Sequence, residues 1–237
     1  MTTATKPTIL VVDIGGTNIK VLGPGERDVA KIPSGNTMTP RKMVKEIRTL
    51  LGGAQYSHVS IGYPGPVLHG RVVGEPHNLG HGWVGFDFRT ALGRPVKVIN
   101  DAALQALGGY RGGRMLFLGL GTGLGSALIV DGVVEPMELA HLPYKNGRTY
   151  EDYVGMRGLE RLGKKKWRQH VARVTKQLQT ALQADYVVLG GGNARLLTEL
   201  PDTVRLGTNA HAFLGGRRLW HVPATIAKSK RRKRGLK

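Results

Sequence analysis

The most constraining feature of the sequence is an apolar run that ends in an acid and two glycines, the stretch VVDIGGTNIK at residues 11–20. The apolar residues predict a buried strand, and the glycines after it let the backbone turn sharply and approach a ligand closely. Amide N–H groups in such a turn can hold an anion, and Thr17 and Lys20 can help to bind a phosphate. Asp13, at the strand end, suits a hydrated Mg²⁺. The alternative is an ordinary tight hairpin in which residues 19–22 only form the returning strand.

The length and composition are typical of a loop-rich α/β enzyme. With 237 residues, the chain can bury a core as one domain or as two small lobes. Its apolar content of 41% and its 35 glycines disfavour a coiled coil or a disordered chain. No apolar run reaches the roughly 20 residues that span a membrane, and no signal peptide is evident. There is no cysteine for disulfides or thiolate metal sites. We therefore expect a cytoplasmic protein.

The chain is strongly basic. It has 35 lysines and arginines against 16 acidic residues, which gives a net charge of +19. Seven of the basic residues lie within residues 228–237, and removing them from the net charge leaves +12, so the rest of the chain is basic too. A surplus of this size favours polyanionic partners such as a phosphate polymer, nucleic acid or an acidic surface. For the terminal cluster, the alternative is a tail that only confers solubility.

Three more glycine-rich turns follow predicted strands, at residues 62–65, 121–125 and 190–192. None of them fits the eight-position P-loop or the G-x-G-x-x-G dinucleotide fingerprint. Residues 95–99 predict another buried strand, which ends in the pair Asn100-Asp101. The pattern therefore predicts two strand-turn-strand phosphate sites with an acid at a strand end between them.

Three long helices are predicted from caps and apolar stripes. The first begins after Thr39 and stops before Gly52. The others are predicted over residues 150–162 and 164–184, the second with Trp167 on its apolar face.

Five motifs occur in the order found in one family of sugar kinases. They are D-x-G-G-T-x-x-K at residues 13–20, N-D-A at 100–102, G-T-G-L-G at 121–125, E-L-A-H at 138–141 and G-G-G at 190–192. On these motifs the sequence resembles the ROK family, within the actin/hexokinase-like ATPase superfamily, and is closest to the family's polyphosphate glucokinase branch. A single motif of this kind is weak evidence, whereas five in one order argue strongly against a chance match.

The resemblance implies an α/β fold of two actin-like (ribonuclease H-like) lobes around a central cleft. The predicted parts are a small N-terminal lobe at residues 1–104, a larger C-terminal lobe at 105–220 and a basic, disordered tail at 221–237.

The resemblance also implies catalytic and donor-binding roles. Asp101 would be the catalytic base that takes the proton from a sugar hydroxyl, and its place at a helix start would help to keep the carboxylate ionised. The alternative is that Asp101 only caps that helix. Asp13 would hold Mg²⁺ through water. The donor phosphates would be bound by the glycine turns and their polar neighbours, namely Asp13, Gly15, Gly16, Thr17, Lys20, Gly121, Thr122, Gly123, Gly190, Gly191 and Gly192.

The sugar hydroxyls would be bound by side chains that can donate to and accept from a polyol. The predicted set is Asn78, Asn100, Asp101, Glu138, His141 and Glu151. For His141, the alternative is a structural hydrogen bond. Many family members hold a structural zinc through cysteines that follow this histidine. No cysteine is present here, so no zinc is expected and the loop must be held by packing.

The predicted function is that of a hexose kinase, which transfers a phosphoryl group from polyphosphate, ATP or both to the 6-hydroxyl of glucose. One alternative is a ROK-like sugar-binding or regulatory protein, and another is a kinase for mannose or an N-acetyl hexosamine. A homodimer is expected only because it is common in the family. No membrane partner is expected, and nucleic acid would bind only non-specifically, through the basic tail.

Overall fold

The computed structural model describes residues 7–208 and 210–221. The disordered tail predicted from residue 221 onwards therefore lies outside the described residues, except for His221. Within them the helices and strands occur in this order: β1 (Ile9–Ile14), β2 (Asn18–Leu22), β3 (Ala30–Pro33), α1 (Pro40–Leu51), β4 (His58–Tyr63), β5 (Val67–Leu68), β6 (Arg71–Val72), α2 (Phe88–Leu92), β7 (Val96–Asn100), α3 (Asp101–Gly109), β8 (Arg114–Leu120), β9 (Leu124–Val130), β10 (Val133–Met137), β11 (Pro143–Lys145), β12 (Arg148–Thr149), α4 (Tyr150–Val154), α5 (Met156–Ala181), β13 (Tyr186–Gly190), β14 (Val204–Leu206) and α6 (Ala210–Arg218).

The two large sheets have the same topology. The first has the strand order β3-β2-β1-β4-β7, and the second has the order β10-β9-β8-β13-β14. In each sheet, three consecutive strands form an antiparallel meander, and the two later strands extend the sheet in parallel. Each lobe therefore repeats one architectural unit, although the sequence shows no evident internal repeat.

Each sheet has its own apolar core. In the first lobe, β1 and β4 are buried along nearly their whole length and pack with α1 and with Trp83, which is fully buried. In the second lobe, α5 covers the sheet with an apolar face that includes Trp167, whose burial confirms the predicted stripe.

Helix α3 joins the lobes, and α6 packs along it. Arg218 of α6 donates from Nη1 to the carbonyl oxygens of Leu107, Gly108 and Tyr110, at 2.9, 2.9 and 3.0 Å, and so satisfies the carboxyl end of α3. Helix α6 also reaches the first sheet, where the Ser60 hydroxyl donates to the carbonyl oxygen of Gly216 at 2.6 Å. The predicted lobe boundary between residues 104 and 105 falls inside α3 and stays a prediction.

The predicted helices are present, and the break predicted between residues 162 and 164 is found at Gly163, but a further break was not predicted. Helix α1 is capped by Thr39 and ends at Gly52 in the left-handed conformation, as predicted. The predicted helix 150–162 is instead divided by Gly155, whose extended backbone separates α4 from α5. Helix α5 bends at Gly163, whose φ of 72° is accessible to glycine at little cost. None of the helices in the described part of the chain is long and apolar enough to cross a membrane.

Candidate functional site

The carboxyl ends of three parallel strands bring the predicted acids to one edge of the first sheet. In the strand register, Asp13 lies opposite Gly62, and Tyr63 lies opposite Asn100, which directly precedes Asp101. Asp13 is only 6% exposed. Its Oδ2 atom accepts a hydrogen bond from the Lys20 ammonium at 3.2 Å, so a positive charge compensates the buried carboxylate.

Gly62 is the residue that lets the two acids approach each other. A methyl group on Gly62 would lie 2.7 Å from the Leu104 side chain, 3.4 Å from Asp13 Oδ1 and 3.5 Å from the Asp101 Cα atom. A methyl group there would require the end of the Leu104 side chain to move, and it would occupy the space between the two carboxylate-bearing segments.

Asp101 is the first residue of α3, but the main cap of that helix is Asn100. The Asn100 Oδ1 atom accepts from the N–H groups of Ala102 and Ala103 at 2.9 and 3.2 Å. Its amide also donates to the Gly65 carbonyl at 3.1 Å, so most of the hydrogen-bonding capacity of Asn100 is already used. Among the residues that the structure describes, the hydrogen bond given to the Asp101 carboxylate is that from Ala102 N–H to Oδ1, at 2.8 Å. Its second oxygen is therefore available to a ligand.

The electrostatic environment of Asp101 favours a base that works near neutral pH. Burial, the negative charge of Asp13 and, more weakly, that of Glu138 raise the pKa of the Asp101 carboxyl to about 7, against the opposing effect of the Ala102 N–H. A carboxylate with a pKa close to the working pH is both available and basic enough to accept a proton from a hydroxyl.

The first glycine turn is fixed from both sides. The Gly15 N–H donates to the Asn18 carbonyl at 3.1 Å, and the Ser34 hydroxyl donates to the Gly15 carbonyl at 2.6 Å. A methyl group on Gly16 would lie 2.9 Å from the Asn78 side chain. The structure thus places Asn78, a predicted sugar ligand, directly against the predicted phosphate turn.

The loop that carries Asn78 is held by a carboxylate that the sequence did not single out. Glu75 accepts from the N–H groups of Gly82, Trp83 and Val84 at distances of 3.1–3.3 Å. Partial burial tends to raise the pKa of Glu75, but these three donors outweigh it, and the pKa lies below its ordinary value. The indole of Trp83 anchors the same loop by donating to the Gly80 carbonyl at 2.7 Å.

The second and third glycine turns pack against each other in the second lobe. Asn193 follows the third turn. Its backbone N–H donates to the Leu120 carbonyl oxygen at 3.0 Å, and its side-chain amide donates to the Gly121 carbonyl oxygen at 3.1 Å. Gly191 has a φ of 81° and lies against the Leu120 backbone, where no side chain would fit. At the end of the second turn, a methyl group on Gly125 would lie 2.8 Å from the Ala102 side chain, so this turn reaches the start of α3 beside Asp101.

The remaining sugar candidates lie on the second lobe. Ser126 positions the segment around Glu138, because its hydroxyl donates to the Met137 carbonyl at 2.8 Å and accepts from Leu139 N–H at 3.2 Å. Glu138 is exposed, and its charge acts on Asp101. His141 ends the following short 3₁₀ turn and is also exposed.

Glu151 lies against the second glycine turn. Its Oε2 atom accepts from the Leu124 N–H at 3.2 Å, and its Oε1 atom lies 3.6 Å from the Arg157 guanidinium. Gly123 passes so close to this carboxylate that a side chain there would collide with it. Glu151 therefore touches the predicted donor-binding turn as well as belonging to the predicted sugar set.

The structure adds three positioning residues that the sequence analysis missed: Glu75, Ser126 and Asn193. Ser126 could have been suspected as a polar residue in an apolar strand, and Asn193 as an amide directly after three glycines. Glu75 carried no local signal, because its partners lie seven to nine residues further along an irregular loop.

The acids at the sheet edge fit a hydrated Mg²⁺ better than a dedicated metal site. Asp13 keeps Oδ1 free of the Lys20 ammonium, and this oxygen points toward Gly62 and Asp101. Mg²⁺ in kinases typically uses one or two carboxylates, water and the substrate phosphates. Within residues 7–208 and 210–221, no group of three or more His, Asp or Glu side chains could hold a metal by itself.

The similarity to known proteins agrees with this geometry. The model of the ROK family matches residues 9–135. Polyphosphate glucokinase of Mycobacterium tuberculosis is 30% identical over 206 residues, which cover 78% of this chain and 77% of that protein. Inorganic polyphosphate/ATP-glucomannokinase from Arthrobacter sp. strain KM has a crystal structure that superposes with a TM-score of 0.73 at 26% identity, covering 89% of this chain and 97% of that one.

A more distant structure extends the likeness in fold alone. The ROK hexokinase from Thermus thermophilus has a TM-score of 0.66 at 22% identity, covering 89% of this chain and 96% of that one. The predicted two-lobed, actin-like α/β fold is confirmed by these likenesses, as is the predicted resemblance. The chain belongs to the ROK family.

Proposed function

We propose that this ROK sugar kinase transfers a phosphoryl group from polyphosphate, ATP or both to the 6-hydroxyl of glucose. The observation that carries the proposal is the position of Asp101. It lies at the start of α3, beside Asp13 of the first lobe and Gly125 of the second, and its pKa is raised to about 7. A base between two glycine turns is the arrangement that phosphoryl transfer to a hydroxyl requires.

The reaction divides between the two lobes. Asp101 takes the proton of the sugar hydroxyl while the oxygen attacks the terminal phosphorus, and the bond from that phosphorus to the rest of the donor breaks. Lys20 and the amide groups of residues 16–17 and 122–123 would stabilise the negative charge that spreads over the phosphoryl oxygens, since the Gly15 and Gly121 N–H groups already donate within their turns. Mg²⁺, held by Asp13 through water, would neutralise part of the same charge. Closure of the lobes would exclude water, which could otherwise accept the phosphoryl group.

Polyphosphate as a donor is supported by the charge of the chain and by the relatives. The net charge is +19, and residues 7–208 and 210–221 contain only two ion pairs, Lys20–Asp13 and Arg157–Glu151. Most of the positive charge is thus left to attract a polyanion. Both ion pairs lie beside a glycine turn, so each cation would be close to donor phosphates bound at these turns. The polyphosphate glucokinase and glucomannokinase relatives carry this donor in their names.

ATP as a donor is supported by a cavity beside the third glycine turn. The cavity measures about 250 Å³ and is lined by Gly191, Gly192, Ala194, Arg195, Leu206, Gly207 and Thr208. Pockets that enclose a drug-sized ligand usually measure about 300–1,000 Å³. The cavity would therefore take one part of a nucleotide, with the phosphates extending toward the cleft.

The proposed sugar ligands are those predicted from the sequence: Asn78, Asn100, Asp101, Glu138, His141 and Glu151. Mannose is a second candidate substrate because the Arthrobacter relative is a glucomannokinase. The homodimer, the cytoplasmic location and the absence of a structural zinc stay predictions.

The proposal is tested by measuring hexose 6-phosphate formation with each donor and each sugar. Polyphosphate and ATP are paired with glucose, mannose and two N-acetyl hexosamines, at salt concentrations from about 50 to 300 mM. We expect the highest rate with glucose, and a polyphosphate rate that falls more steeply with salt than the ATP rate, because a long polyanion releases more counterions on binding.

The outcomes separate the alternatives. No hexose phosphate from any pair, together with calorimetric binding of a sugar, would favour a sugar-binding or regulatory protein. A faster rate with mannose or an N-acetyl hexosamine would show that this sugar, and not glucose, is the preferred substrate. Equal salt dependence of the rates with both donors would mean that the positive charge of the chain does not favour polyphosphate over ATP.

A further inference from the structure

The hairpin of β11 and β12 links the two sides of the proposed sugar site. It begins two residues after His141 and ends two residues before Glu151, and its strands have three and two residues. A two-stranded hairpin is marginally stable in water, and one this short cannot hold its own geometry. The hairpin therefore depends on its contacts with the rest of the lobe, and these help to position His141 and, together with the Leu124 N–H, Glu151.

Tyr144 supplies those contacts. It is the half-buried residue of β11, between the exposed Pro143 and Lys145. Its hydroxyl shares a hydrogen bond of 3.0 Å with Nδ1 of His170 on α5. Its ring packs against Tyr150 and Tyr153 of α4, with ring centroids 5.2 and 5.0 Å apart.

The partners of Tyr144 are themselves held in place. Tyr153 is 4% exposed and packs against His170 at a centroid distance of 4.6 Å. Arg161 covers the other part of Tyr153 at 4.9 Å from the ring centroid and donates to the Asp152 carbonyl at 2.8 Å. Tyr144 thus joins the short hairpin to the packed helices α4 and α5.

We propose that the Tyr144–His170 hydrogen bond is a positioning contact for sugar binding. It rests on the proposed function and extends it to residues that touch no substrate. The bond fixes the hairpin so that His141 and Glu151, at its two ends, are held at a set separation and orientation before the sugar arrives. Without the bond, the binding of sugar would have to order the hairpin, and the entropic cost would appear as weaker sugar affinity.

The donor side has separate support. The second glycine turn is held by Asn193, which donates to the Gly121 carbonyl, and by the Met156 N–H, which donates to the Thr122 carbonyl at 3.1 Å. Neither contact passes through the hairpin. The loss of the Tyr144–His170 bond should therefore weaken sugar binding more than donor binding, although Glu151 at one end of the hairpin also touches this turn.

The direct test is Tyr144→Phe, which keeps the ring and removes the hydroxyl. We expect the hexose KM to rise about three- to tenfold, in line with the loss of one hydrogen bond. The donor KM should change less than about twofold. The matched control is Tyr186→Phe, which removes the hydroxyl that accepts from Arg111 N–H at 2.9 Å, at the opposite end of the second lobe's sheet. The control should leave both KM values unchanged.

Two variants of the partner test the same bond if Tyr144→Phe folds poorly. His170→Ala removes the hydrogen-bond partner of Tyr144 and should raise the hexose KM like Tyr144→Phe. His170→Asn places an amide oxygen near the position of Nδ1 and should restore part of the affinity. In the double variant Tyr144→Phe/His170→Ala, the effects should not add, because each change breaks the same bond.

Calorimetric titration with the hexose alone gives a readout that does not need turnover. If the wild-type protein binds hexose but the Tyr144→Phe and His170→Ala variants bind it equally well, the positioning role is wrong while the proposed function stands. An equal rise in hexose and donor KM, or a lower melting temperature with no change in hexose affinity, would also overturn it. If the wild-type protein neither binds nor phosphorylates a hexose, both proposals fall together.

Discussion

The first hairpin of each lobe occupies the same place in its sheet, but the two hairpins differ in charge. In the first lobe, Asp13 pairs across the strands with Lys20, one residue pair before the turn. In the second lobe, the equivalent pair is Gly119 and Gly125. The same pair of strands thus carries an ion pair in the first lobe and two glycines, without side chains, in the second.

The difference reflects what each hairpin must approach. Gly125 passes so close to Ala102 that a lysine in its place could not be accommodated, whereas Lys20 is partly exposed and reaches the Asp13 carboxylate. In the proposed mechanism, the first lobe would therefore supply the carboxylates that accept the proton and bind Mg²⁺, and the second would supply amide donors close to α3. One strand position can carry either a charged side chain, as at Lys20, or a glycine that lets the backbone approach α3, as at Gly125. The two lobes together provide both.

The largest effect is expected from removing the acid that serves the first lobe's chemistry. Asp101→Asn should lower kcat by about 10²–10⁴-fold, because the amide cannot accept the proton. The exposed Asp202→Asn is the control, and its kcat should equal that of the wild type. Retention of most activity by Asp101→Asn would mean that Asp101 only supports the helix start.

Asp101→Asn should also be more stable to unfolding than the wild type, although it is less active. The pKa of Asp101 in the folded protein is about 7, above the ordinary 3.8, so the folded state binds this proton more tightly than the unfolded state. The free energy of unfolding therefore falls as the pH rises from about 4 to about 7. Above pH 7, the full loss of stability caused by ionising the buried Asp101 is present. Asp101→Asn removes that cost, so its advantage in unfolding free energy should be clear at pH 8 and should vanish near pH 4.

The next largest effect is expected from crowding the second hairpin. A methyl group on Gly125 would lie 2.8 Å from Ala102 Cβ, so Gly125→Ala must displace the start of α3. Overpacking of this kind costs about 1–3 kcal/mol of unfolding free energy, and the displaced Asp101 should lower kcat by roughly ten- to hundredfold. For stability, the control is Gly192→Ala, which has no atom within 4 Å of the added methyl group. Equal unfolding midpoints in urea for both variants would contradict this account.

The effect that needs no substitution is a pH dependence of the wild-type enzyme, and within one pH unit of the pKa it should be the smallest of these effects. The hexose kcat/KM should fall about tenfold for each pH unit below an apparent pKa near 7, because protonated Asp101 cannot act as a base. Mg²⁺ bound beside Asp13 would lower that apparent pKa, since a nearby cation favours the carboxylate. Profiles recorded at low and at saturating Mg²⁺ test both statements. A flat profile from pH 5 to 8 would rule out Asp101 as the titrating base.

Much of the first lobe's site could be predicted from the sequence because its signals are local. The aspartate, glycines and lysine of residues 13–20 are contiguous, and Asn100 and Asp101 directly follow an apolar strand. The resemblance predicted two actin-like lobes, but the matching strand orders of the two sheets could not be predicted from local signals, because the two hairpins differ at the residues that a comparison of sequences would align. The roles of Ser126 and Asn193 depend on hydrogen bonds between segments that only the fold brings together.

The return of α6 to the first lobe has a consequence for synthesis. Ser60 and Gly216, which share a hydrogen bond, are separated by 156 residues. At the usual elongation rates of about 5–20 residues per second, the ribosome needs roughly 8–30 seconds to make the intervening chain. During that time β1 and β4 lack the helix that covers them, so the lobe that carries Asp13 matures last although it is made first. A delay of this kind gives chaperones a defined interval in which to act, and it predicts that ribosome-bound chains ending before α6 are digested by protease in their first hundred residues.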